Sequence, residues 1–106
     1  MARVALAVYV WDMHNPKIHV EFDPLKAKTN RFKHGVSFAQ AEEALQDFMA
    51  ITVEDPDAIG EQRFVTLGID DSGRLLIVVY TMRGDAIQLI SARKASKGET
   101  RQYHAQ

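Results

Sequence analysis

The chain contains no cysteine. A disulfide framework, a thiolate zinc site, an iron–sulfur cluster and a cysteine nucleophile are therefore excluded, and the composition fits a reducing cytoplasm. Long apolar runs are missing as well. The longest, Val4 to Trp11, falls well short of the ~20 residues a membrane span needs, and no small-residue cleavage pattern follows it. The six glycines are scattered singly, so there is no phosphate-cradling loop and no nucleotide fold to expect. No G-x-S-x-G elbow surrounds Ser37, Ser72, Ser91 or Ser96, which argues against a serine hydrolase. His14, His19, His34 and His104 stand in no metal-ligand spacing, so neither a metal nor a cofactor is expected.

What is present is one domain's worth of chain, 106 residues with 46% hydrophobic and 25% charged side chains. The net charge of −1 conceals a segregation, because residues 42–61 carry seven acids and no base while the flanking segments are net basic. If the acidic stretch lies on one side of the fold, the remainder presents a basic surface to a polyanion; alternatively the charges merely solvate surface faces.

The periodicity predicts an α+β domain with helices packed on an antiparallel sheet of about four strands and a short C-terminal helix. Val20 to Phe22 is extended. Asp23 caps a first helix with Pro24 in its first turn, running to about Lys33, with Leu25, Thr29 and Phe32 as its inner stripe and Gly35 as its stop. Ser37 and Gln40 form a capping box for a second helix, which runs to about Asp47 and turns Phe38, Ala41, Leu45 and Phe48 inward. A strand at Ile51 to Val53 and three more from Arg63 follow, the latter joined by turns at Asp70–Gly73 and Arg83–Asp85. Ser96 and Glu99 form a second capping box. Residues 1–18 read as an N-terminal arm whose apolar segment pairs with a sheet edge, that of a second copy in preference to its own.

Chemistry then rests on His34 and the arginines. His34 ends a helix, where the macrodipole favours its imidazolium and Lys33 opposes it; it either caps the last carbonyls or transfers protons. Arg63, Arg83 and Arg93 stand at strand ends, with Lys94 beside the last. If neighbouring strands bring the three toward one rim, they form a guanidinium cluster for phosphate oxygens; the alternative is three solvated strand ends. Cleaving RNA without a metal needs a base for the 2′-OH, cations for the developing phosphorane charge and an acid for the leaving oxygen.

The block from Asp23 to Phe38, the E-x-R-F-V-T-L-G run from Glu61 to Gly68 and the block from Ile90 to Tyr103 together resemble the BrnT family of bacterial toxins. The resemblance spans about Val20 to Tyr103, within a toxin domain taken as 19–106. It implies a RelE-like fold, a cytoplasmic, metal-independent endoribonuclease that arrests translation, and a ribbon-helix-helix antitoxin (BrnA-like) that alone contacts operator DNA. The assembly expected is a homodimer, through the N-terminal arm, or a toxin–antitoxin heterotetramer. Carried over by motif, Lys26, Asn30, Lys33 and His34 come from the first block, Arg63 from the middle, and Arg93, Glu99 and Tyr103 from the last. Gln88 and Lys97-Gly98 depart from the family's basic positions. The site expected is His34, Arg63, Arg83 and Arg93 for catalysis, Lys26, Asn30, Lys33 and Lys94 for RNA, and Glu99 and Tyr103 in support. The rival is a non-catalytic module whose basic face docks an acidic partner or a nucleic acid.

Overall fold

A computed structural model describes residues 19–106. In chain order the elements are β1 (His19–Glu21), α1 (Pro24–His34), α2 (Phe38–Leu45), β2 (Ile51–Glu54), β3 (Phe64–Ile69), β4 (Leu75–Arg83), β5 (Ala86–Lys94) and α3 (Lys97–His104). The strands make one sheet in the order β1-β5-β4-β3-β2. The expected α+β architecture is present, with two refinements. Among the described residues there are five strands, and β1 joins as an edge strand parallel to β5, pairing His19 with Ala86 through Glu21 with Gln88. The expectation for residues 1–18 lies outside the described residues.

Each helix starts where a side chain can satisfy its orphan amides. Asp23 accepts from the Leu25 N–H at 2.9 Å, and reciprocal capping boxes join Ser37 to Gln40 and Ser96 to Glu99. Gly35 ends α1 at φ +67°, a conformation any side chain would strain. One sheet face packs on α1 and α2, where Val36, Phe38, Ala41 and Leu45 meet Phe64, Leu76, Val78, Tyr80 and Leu89. The other face carries Leu67 and Ile77, on which α3 lays Tyr103. Gly68 is glycine for closeness: a Cβ there would collide with the Ala44 carbonyl at the end of α2.

The inward assignments of the α1 stripe and of Phe48 are overturned. Leu25, Thr29 and Phe32 are not core residues; all three are exposed, Leu25 at 70% and Phe32 at 92%, and the buried residue of α1 is Asn30. The cause is that α1 runs beside the β5 edge, where β1 reaches only as far as Gln88. Past that point the bare strand needs hydrogen-bond partners more than apolar cover. Asn30 supplies them, donating to the Ala92 and Val36 carbonyls at 2.9 Å each and accepting from the Ala92 N–H at 3.0 Å. Phe48 likewise points to water, 92% exposed. α2 ends at Leu45, and the tight turns through Gln46, Asp47 and Ala50 break the helical phase before Phe48 is reached.

Candidate active site

The sheet register decides which basic residues can act together. Phe64 faces Tyr80 and Arg83 faces Ala86, so Arg63 and Arg83 stand at one end of the strands. Arg93 faces Ile77, toward the other end. Seven residues along β5 amount to ~20 Å, so the expected single rim of Arg63, Arg83 and Arg93 does not form. Antiparallel hairpins put the start of one strand beside the end of the next, which separates Arg83 from Arg93 by the length of β5. By alternation all three project from the same sheet face, the one that α3 covers in part. Arg83 is engaged by Glu61, with Nε 3.2 Å from a carboxylate oxygen.

The stretch of β5 before Arg93 borders a different feature. An open cleft of about 410 Å³ lies between α1 and β5, lined by Asp23, Leu25, Lys26, Thr29, Asn30, Lys33, His34, Ile90 and Ser91. α1 brings Lys26, Asn30 and Lys33 to it at i, i+4 and i+7, one helical stripe. Asn30, expected to contact RNA, is instead a buried strut at its floor, 5% exposed with both ends of its carboxamide bonded. His34 is exposed at the cleft. The Gly35 N–H donates to the Arg31 carbonyl at 2.9 Å, and the His34 imidazole makes no hydrogen bond among the described residues.

β5 contributes its side by a bulge. Val79 faces Ser91 but Tyr80 faces Leu89, so Ile90 is the extra residue. Bulges re-aim side chains, and here Ile90 and Ser91 enter the cleft. Ser91 and Arg93 then share a face, with Cα atoms ~7 Å apart along the strand. Arg93 donates from both Nη atoms to Glu99, at 2.9 Å each, and from Nη1 to the Lys94 carbonyl at 3.1 Å. This fork holds the Glu99 carboxyl down at about 2, mainly through the Arg93 hydrogen bonds and against partial burial, and raises Arg93 in return. The guanidinium is thereby fixed in orientation while its Nε–H makes no hydrogen bond among the described residues. Lys94 is exposed at the end of β5.

Tyr103 anchors α3. It is buried, and its hydroxyl donates to Asp47 at 2.6 Å. Burial, then the Asp47 carboxylate, pushes the phenol up to about 12. Among the described residues no three His, Asp or Glu side chains gather to hold a metal ion, and no helix is long and apolar enough to cross a membrane. Sequence reasoning missed Thr29, Ile90 and Ser91. Ser91 was within reach, since it alternates with Arg93 in β5; the bulge that turns Ile90 into the cleft has no local signature.

A family described as the ribonuclease toxin BrnT of type II toxin–antitoxin systems matches residues 22–99. The chain belongs to the BrnT family. Its fold is similar to the crystal structure of the Brucella abortus ribonuclease toxin BrnT, with a TM-score of 0.60 and 26% identity over 76% of this chain and 100% of that one. No curated protein matches by sequence. The cleft is built from both ends of the matched region: Lys26, Lys33 and His34 near its start, Ile90 and Ser91 near its close. As a BrnT family member the chain is a ribonuclease toxin of a type II system, whose counterpart is an antitoxin.

Proposed function

We propose that the chain is a metal-independent endoribonuclease that cuts RNA in the α1–β5 cleft and so arrests translation in the cytoplasm. The observation that carries this reading is the convergence of Lys26, Lys33 and His34 on one cleft; Arg93, two residues beyond the cleft-lining Ser91 on β5, is held by Glu99. The lysines hold the RNA backbone. Arg93 places a guanidinium, preorganised by Glu99, where negative charge develops on the phosphorane oxygens. His34 takes the 2′-OH proton or delivers one to the leaving 5′-oxygen. The 2′-oxygen attacks the adjacent phosphorus, the P–O5′ bond breaks, and the product ends are a 2′,3′-cyclic phosphate and a 5′-hydroxyl. Arg63 and Arg83, on the same sheet face, extend the cationic track for the strand beyond the scissile phosphate. The counterpart is a BrnA-like ribbon-helix-helix antitoxin, through which alone the toxin meets operator DNA, in a heterotetramer.

Antitoxin-free protein should cut RNA, spare DNA of the same sequence, retain activity in EDTA and leave cyclic phosphate ends, since only RNA carries the internal nucleophile. Loss of activity in chelator or equal cutting of DNA overturns the mechanism. Induction without the antitoxin should arrest bacterial growth; normal growth favours the non-catalytic binding module.

A further inference from the structure

The reading of the cleft leaves the outward face of α1 unexplained. Leu25 and Phe32 stand two turns apart on it, 70% and 92% exposed, with Lys28 and Thr29 between them. Scattered surface apolar residues need no account, but these two share one stripe of an eleven-residue helix. That helix carries Lys26, Lys28, Arg31 and Lys33 and no acid. An apolar ridge flanked by cations is complementary to a segment that is amphipathic and acidic. Leu25 also lines the cleft, so whatever covers the ridge extends over the cleft mouth.

From this we infer that α1 is the docking surface for an acidic, amphipathic segment of the antitoxin, which seats an apolar side chain on Phe32, sets its acids against Lys28 and Lys33 and closes the cleft to RNA. Neutralisation is then competition for one basic surface. A partner carrying apolar anchors and negative charge satisfies both features of the ridge, whereas RNA alone would use only the charge and an occasional stacked base. The inference rests on the ribonuclease reading for its consequence and on exposure and charge for its location.

The test is titration of purified cognate antitoxin into the protein and its Phe32→Ser, Phe32→Glu and Phe32→Leu variants, with RNA cleavage measured separately on antitoxin-free samples. Phe32 is almost fully solvated and outside the cleft lining, so each variant should fold. Phe32→Ser is expected to weaken antitoxin binding at least 30-fold, the loss typical of a central apolar anchor. Phe32→Glu should weaken it further by repulsion from the acidic segment, and Phe32→Leu should keep it within about threefold. Cleavage should stay within twofold throughout, and antitoxin binding should fall with added salt. Unchanged antitoxin binding in Phe32→Ser and Phe32→Glu overturns the inference. Reduced cleavage with antitoxin binding intact overturns it too, and assigns Phe32 to the RNA bases. If the unsubstituted protein cuts no RNA but Phe32→Ser still loses the antitoxin, the docking surface stands and the ribonuclease reading falls.

Discussion

The two edges of the sheet have opposite character. At the β1–β5 edge, α1 contributes four Lys or Arg and His34, with no acid among its eleven residues. At the far edge, β2 and the loop after it present Glu54, Asp55, Asp57 and Glu61, part of the seven-acid stretch foreseen from the sequence. The four strand spacings between the edges amount to ~19 Å, more than twice the ~8 Å screening length at physiological salt, so the acids do little to the field at the basic edge. The acidic edge also holds a cleft of similar size, about 430 Å³, lined by Glu54, Asp55 and Glu61. Concavity alone therefore does not select the site. Charge does, because a polyanion can occupy only one of these two hollows.

The comparison can be broken most severely by substituting Arg93 or His34. Arg93→Ala and His34→Ala are each expected to lower single-turnover RNA cleavage by ~10²–10⁴-fold, the range for losing an oxyanion donor or a proton-transfer group. Arg83→Ala, at the far strand end and already paired with Glu61, should cost less than about tenfold. Equal losses at Arg83 and Arg93 would move the chemistry off the α1–β5 cleft. Asn30→Ala comes next and probes why the basic edge exists at all. It strands the Ala92 N–H and the Ala92 and Val36 carbonyls, so thermal unfolding should show a loss of ~2–4 kcal/mol.

A smaller effect separates the Arg93–Glu99 fork from ordinary surface pairs. Glu99 titrates at about 2 in the fold and at 4.5 ordinarily, so its contribution is full above about pH 4.5 and is lost as pH falls toward 2. Arg93 is 45% exposed, which screens the pair and leaves on the order of 1 kcal/mol. Thermal melts between pH 6 and 2 should fall more steeply for the native protein than for Glu99→Gln, and parallel slopes would deny the fork its role. Smallest of all, Glu54→Gln with Asp57→Asn at the acidic edge should change cleavage less than about twofold at 0.15 M salt.

Much of this was legible in the residues. Caps at Asp23, Ser37 and Ser96 are local hydrogen-bond chemistry, and each lies where the sequence places it. The stripe of Lys26, Asn30 and Lys33 is likewise local, and its spacing brought all three to the cleft. What failed was non-local. Which way α1 faces depends on β1 stopping at Gln88 and leaving β5 bare, so the stripe of Leu25 and Phe32 that periodicity alone turns inward faces water and Asn30 is the buried residue. The arginine rim failed for the same reason, since strand ends share an edge only when the register allows it, and register is a property of pairs of strands. The bulge at Ile90 is a third case, visible only against β4.

The central claim, that RNA occupies the basic edge beside β5, is tested most directly by mapping amide and side-chain resonances while an RNA oligonucleotide bearing 2′-deoxy substitutions, and so uncleavable, is added. The account expects shifts at Lys26, Lys33, His34, Ser91 and Arg93, weakening as salt is raised. Shifts centred on Arg63 and Arg83, or on the Glu54 to Glu61 hollow, with α1 unmoved, would contradict it.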